Sequence, residues 1–172
     1  MKLAILFPTL CVALFWGLYG PALAQSRSAL LSPFKPYLMI GLAYLVWGIL
    51  GGIAGMIWKG DTFAFTGAGT VWGFIAGSLG AFGALALTLA MFAGGSRTPH
   101  VVMALVFGGA VAVAALYGVA REWYTEGVID QNPGLWVGIV GILVSSIFVA
   151  YHTPQEHPPP RVAQSVASPP QR

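Results

Sequence analysis

The chain has 172 residues, of which 57% are hydrophobic and only 8% are charged, and its formal net charge is +3. A soluble domain carries about 25% charged residues, so eight Lys and Arg with five Asp and Glu are too few to coat a soluble particle of this size. The composition excludes an ordinary soluble fold and predicts an all-α integral membrane protein. The basic residues form no cluster, so we expect no nucleic-acid partner.

Five apolar segments are long enough, or nearly so, to cross the hydrocarbon core, which takes about 20 helical residues. In chain order they are 3–24, 37–58, 69–93, 101–120 and 134–151. Because each is apolar on all sides and backbone amides in lipid need internal partners, helices are predicted rather than barrel strands. We expect a bundle of five transmembrane helices over 1–152 in a lipid bilayer, followed by a disordered, proline-rich C-terminal tail over 153–172.

The first segment has two interpretations. Lys2, an apolar run and Ala22-Leu23-Ala24 resemble a secretory signal peptide with its cleavage site. The run over 3–24 is longer than the usual signal core of about 7–15 residues, which favours an uncleaved helix. Cleavage after Ala24 stays the alternative. Pro8 lies inside this segment and would kink it, but it lies near the end of the span, which favours an adjustment of the terminal turn instead.

Basic residues are distributed unequally between the two sides that five spans define. Lys2, Lys59 and Arg121 fall on one side, and the other side carries Arg27, Lys35, Arg97, Arg161 and Arg172. The positive-inside rule then places the C-terminus in the cytoplasm. We expect an integral protein of a bacterial inner membrane.

The predicted helix starts are marked by local signals. Thr98-Pro99 and Asn132-Pro133 each place a favourable N-cap residue before a proline at the first helical position. These pairs predict where the fourth and fifth helices begin.

Small residues recur at four-residue spacing along the second, third and fifth segments. The positions we assign to helix packing are Gly48, Gly52, Gly69, Gly73, Gly77, Gly134 and Gly138. Such faces let helix backbones approach closely in lipid. Packing within the chain is the first interpretation and a dimer interface is the second, and Gly73 with Gly77 is predicted to make the closest helix contact.

The predicted spans contain no Asp, Glu, Lys or Arg, which disfavours proton antiport driven by a membrane-embedded acid. We find no nucleophile–base pair, phosphate loop or zinc spacing, so no catalytic residue, metal or cofactor is predicted and we do not expect an enzyme. His152, Glu156 and His157 are conceivable metal ligands, but their proline-rich setting argues against a site there.

Two aromatic pairs lie away from the predicted membrane edges. Trp16 with Tyr19, and Tyr44 with Trp47, are each three residues apart and therefore share a helical face. Their rings and hydroxyl groups could line a path for a small organic solute. Ordinary core packing is the alternative.

The stretch from Thr66 to Gly118 resembles the third and fourth helices of an EamA-like repeat in the drug/metabolite transporter superfamily. In that family a glycine-rich helix leads through a short connection into another small-residue helix. In that family an acidic residue often follows, and a fifth helix with a GxxG motif comes next; Arg121-Glu122 and Gly138-Ile139-Val140-Gly141 occupy those places here. Trp16-Gly17 is similar to the family's first helix. The resemblance covers roughly 15–151.

The chain departs from that family in length, since typical members have ten helices in two inverted repeats and this chain has one repeat. Its fourth span also lacks an internal proline often seen there. The resemblance implies half of a transporter for a small organic solute, working as a homo-oligomer or with a second membrane subunit. A non-transporting accessory or structural subunit of a membrane complex is the alternative.

Overall fold

The computed structural model describes residues 3–127 and 132–154, and the residues it describes form five α-helices and one short 3₁₀ turn. The helices are α1 (Leu3–Leu30), α2 (Phe34–Lys59), α3 (Gly67–Phe92), α4 (Pro99–Glu126) and α5 (Pro133–His152), and the 3₁₀ turn (Gly95–Arg97) joins α3 to α4. The all-helical prediction is confirmed for this part of the chain. Each α-helix is long and apolar enough to cross a membrane, which is compatible with an integral membrane protein. The predicted tail lies almost wholly outside the described residues.

α4 and α5 begin at Pro99 and Pro133, as predicted, although only α5 has a side-chain cap. The Asn132 side chain accepts a hydrogen bond of 2.9 Å from the Gly134 N–H at the start of α5. Thr98 precedes α4 without a side-chain cap, and its carbonyl oxygen accepts hydrogen bonds from the Val101 and Val102 N–H groups. Proline at the first helical position has no N–H to satisfy, so both helices begin where the sequence predicts.

α1 is longer than predicted, since it ends at Leu30 rather than at Ala24, and it stays helical through Pro8 and Pro21. Pro8 does not end the helix, because little more than one turn precedes it and that terminal turn can adjust to the missing hydrogen bond. α1 is therefore one continuous helix through Pro8.

The core lies at one end of the bundle, where α1 and α3 end and α2 and α4 begin. Its buried members are Leu23, Ala24, Leu87, Met91 and Met103, and the partly buried side chains against them are Tyr19, Ile40, Val102 and Phe107. Met91 has no exposed surface. We call this the packed end. At the opposite end, where α2 ends and α3 begins, nearly every side chain of 41–59 and 67–80 is exposed.

α4 contacts α1, α3 and α5, and it is the one described helix that α5 contacts. A Cβ atom at Gly108 of α4 would overlap the Ser146 hydroxyl of α5 and lie 2.6 Å from the Ser146 Cβ. A Cβ at Gly20 of α1 would lie 2.7 Å from the Met103 sulfur of α4. These two glycines allow the close helix approaches within the chain.

The glycines predicted to pack helices lie elsewhere. A Cβ atom would meet nothing within 4 Å at five of them, namely Gly48, Gly52, Gly73, Gly77 and Gly138. At Gly69 and Gly134 it would meet only Thr66 and Asn132, which precede the same helices. Among the described residues the closer helix contact is therefore at Gly108, where α4 packs on α5, and not at Gly73 or Gly77, where a Cβ atom would meet nothing within 4 Å. Packing of these glycines against a second chain stays a prediction.

Candidate functional site

Trp16 and Tyr19 of α1 lie at the edge of the core. The Trp16 ring centroid is 6.0 Å from that of Phe107, and Trp16 is 50% exposed. Tyr19 packs against the buried cluster of Leu23, Met91 and Met103. Its hydroxyl is buried and has no hydrogen-bond partner among the described residues.

Tyr44 and Trp47 of α2 differ in how far they are exposed. Tyr44 is 49% exposed. Trp47 is 76% exposed and is therefore turned away from the core. The structure thus places Trp16 and Tyr19 where α1 packs on its neighbours. It leaves Tyr44 about half exposed and Trp47 largely exposed on α2.

The unpartnered Tyr19 hydroxyl is the most distinctive polar group in this region. A buried hydroxyl without a partner costs about 1–3 kcal/mol relative to one that is hydrogen-bonded. A solute that offered a donor or an acceptor at this position would recover that free energy. The arrangement is suited to binding a polar group by hydrogen bonding beside aromatic rings.

A second concave feature, the α4–α5 groove, was not predicted from the sequence. It has a cavity volume of about 520 Å³ and is lined by small residues that include Gly108, Gly138, Gly141 and Ser145. Gly138 meets no side chain because it faces this groove. The sequence pattern that could have predicted this groove is the series of small residues Ala104, Gly108 and Ala112 on α4. They recur at the same four-residue spacing as the glycines of the second, third and fifth segments.

No group of three or more His, Cys, Asp or Glu side chains comes together as a metal site in the described part of the chain. Nδ1 of His152 lies 2.9 Å from the Phe148 carbonyl oxygen, and the two ring centroids are 4.1 Å apart. His152 thus contacts its own helix. Glu156 and His157, the other conceivable ligands, lie outside the described residues.

Comparison with protein-family models, with curated proteins and with solved structures finds no match to this chain. The resemblance to an EamA-like repeat therefore rests on the sequence motifs alone.

Proposed function

We propose that this chain is one half of a membrane transporter that moves a small organic solute and that it acts as an oligomer. The observation that carries the proposal is the incomplete bundle. At Gly48 and Gly52 on α2, and at Gly73 and Gly77 on α3, a Cβ atom would meet nothing within 4 Å among the described residues. Faces of this kind allow close approach of another helix in lipid, so a second copy of the chain would complete the bundle there.

The proposed solute path runs beside Tyr19, whose hydroxyl has no partner among the described residues. Trp16 on α1 and Tyr44 on α2 would add rings that are each about half exposed. In an oligomer, the outward-facing Trp47 would add its indole from the surface of α2. Hydrogen bonding from Tyr19 and stacking on the rings favour a neutral or weakly polar organic molecule.

Facilitated movement down a gradient is the proposed mode. The predicted spans carry no acidic or basic side chain, and an ion-coupled carrier commonly needs such a group within the membrane. The energy would then come from the solute gradient alone.

The experiment is uptake by purified full-length protein in liposomes, with a panel of labelled small organic solutes. The transported solute is then tested with Tyr19→Phe, which removes only the hydroxyl group, and with Tyr151→Phe as the matched control, since Tyr151 is 84% exposed near the end of α5. We expect about a fivefold or greater rise in KM for Tyr19→Phe, equivalent to losing one hydrogen bond of about 1 kcal/mol or more, and no change for the control. The proposal fails if no solute enters faster than into empty liposomes, or if both variants transport like the parent.

A second candidate, a non-transporting subunit of a membrane complex, is favoured by the exposed position of Trp47. An indole that is 76% exposed on the outer face of α2 is suited to contact with another membrane protein as much as with a solute. Purification of the tagged chain from its native membrane separates the two candidates. A fixed set of co-purifying membrane proteins supports the subunit, and a homo-oligomer alone supports the transporter.

A further inference from the structure

The two ends of the bundle differ in charge. Among the described residues the packed end carries Arg27, Lys35 and Arg97, and no Asp or Glu lies near them. The opposite end is balanced by acids, with a Lys59–Asp61 ion pair of 3.5 Å and, at the end of α4, Arg121, Glu122 and Glu126. Among the described residues, the packed end is therefore a concentration of positive charge that no nearby Asp or Glu offsets.

Arg27 is held in a fixed position at this end. Its Nη2 donates a hydrogen bond of 3.2 Å to the Phe92 carbonyl oxygen, and its guanidinium carbon lies 5.1 Å from the centroid of the Phe92 ring. Its Nε is buried and has no hydrogen-bond partner among the residues that the structure describes. The guanidinium is thus positioned between α1 and the end of α3, and it forms no ion pair with a carboxylate of the described residues.

Further donors lie on segments that contact α1 here. The 3₁₀ turn that ends with Arg97 packs on α1, and the Arg97 side chain is exposed. His100 follows in the first turn of α4, and its Nε2 is buried without a hydrogen-bond partner among the described groups. Two cationic side chains and an imidazole therefore occupy adjoining segments.

The depth of these groups matches that of lipid head groups. α1 has 28 residues and is therefore about 42 Å long at about 1.5 Å per residue, whereas the hydrocarbon core is about 30 Å thick. Arg27 lies in the last turn of α1, so in an inserted helix it reaches the head-group region. Leu31 and Phe34, in the connection from α1 to α2, are 75% and 64% exposed and offer apolar surface to a lipid.

We infer that the packed end binds the phosphate head group of an anionic phospholipid, with Arg27 as its central contact and Arg97 as a second. A guanidinium recognises phosphate oxygens with charge-assisted hydrogen bonds, and basic pockets between transmembrane helices bind anionic head groups in this way. A lipid fits better than free phosphate because exposed apolar side chains adjoin the cations. The inference goes beyond the proposed function and does not depend on transport.

The test uses the full-length protein in neutral detergent with added dioleoyl phosphatidylglycerol or dioleoyl phosphatidylcholine. Native mass spectrometry counts the bound lipids, and thermal unfolding measures stabilisation. We expect phosphatidylglycerol to be retained and to stabilise the protein more than phosphatidylcholine does. Arg27→Gln and Arg97→Gln should each weaken phosphatidylglycerol binding about fivefold, as expected for one basic residue at the membrane surface.

Arg121→Gln at the opposite end is the matched control and should bind phosphatidylglycerol as the parent does. If Arg27→Gln does not fold, Arg97→Gln decides the matter, because its side chain is exposed and makes no described core contact. Equal retention of the two lipids by the parent, or equal losses in Arg97→Gln and Arg121→Gln, would overturn the inference. Equal stabilisation by inorganic phosphate alone would show a small-anion site and would also overturn it.

Discussion

Gly108 sets the distance between α4 and α5, because a side chain there has no room beside Ser146. A methyl group at 108 would overlap the Ser146 hydroxyl and lie 2.6 Å from its Cβ. The Ser146 hydroxyl also donates a hydrogen bond of 2.7 Å to the Ile142 carbonyl oxygen, so moving it away has a cost. We expect Gly108→Ala to lower the free energy of unfolding by about 1–3 kcal/mol, because it overpacks the contact between α4 and α5. Chemical denaturation of the protein in detergent micelles measures this change.

Gly109→Ala is the matched control for that prediction, since a Cβ at Gly109 meets nothing within 4 Å. It should leave the free energy of unfolding nearly unchanged. Adding Ser146→Gly to Gly108→Ala should restore much of the lost stability, because the overlapping side chain is then absent. Equal stability of the two single alanine variants would show that α4 and α5 do not pack through Gly108.

At the scale of the helices, α1 contributes to the core at the place where a signal peptidase would cut. Leu23 is 4% exposed and Ala24 is 8% exposed, and both belong to the buried cluster with Met91. Cleavage after Ala24 would remove these contacts and Tyr19 with them. We therefore expect the mature protein to retain α1, which N-terminal sequencing of protein purified from membranes will check. A sequence that begins at Gln25 would contradict this expectation.

The existence of the five helices follows from the sequence, whereas their ends follow only in part. Long apolar runs in a lipid environment have little alternative to helix, so each predicted span is helical. Hydropathy stops at Ala24, but Gln25, Ser26 and Arg27 are polar without being helix breakers, and α1 continues through them. It stops at Leu31, which has a left-handed φ of 51° and precedes Ser32-Pro33.

Which faces meet could not be predicted, because four-residue spacing of small residues occurs on several helices. The spacing marks a face that permits close approach, but it does not identify the neighbour. Gly108 faces Ser146 across the α4–α5 contact, while Gly73 and Gly77 with the same spacing face no atom of the chain. Likewise, the position of Trp47 near the middle of α2 did not predict that its side chain would face outward.

For the whole molecule, the charge asymmetry predicts orientation. The packed end carries the uncompensated Arg27, Lys35 and Arg97 and should lie in the cytoplasm under the positive-inside rule, as should the C-terminus. In a Cys11→Ser background, a membrane-impermeant maleimide should label Phe63→Cys in intact cells, because Phe63 lies at the opposite end and is 59% exposed. It should label Ser168→Cys only after permeabilisation. The reverse pattern would invert the proposed topology.

The central claim is that a second copy of the chain completes the bundle through the glycine faces of α2 and α3. Gly73→Cys in a Cys11→Ser background places a thiol on the α3 face, where no atom of the chain stands within 4 Å of a Cβ. Val113→Cys on α4 is the control, since Val113 is 67% exposed on a helix that already has its partner. After oxidation in native membranes, we predict a disulfide-linked homodimer for Gly73→Cys and monomer for Val113→Cys. Monomer alone for Gly73→Cys, or equal dimer from both variants, would contradict the claim.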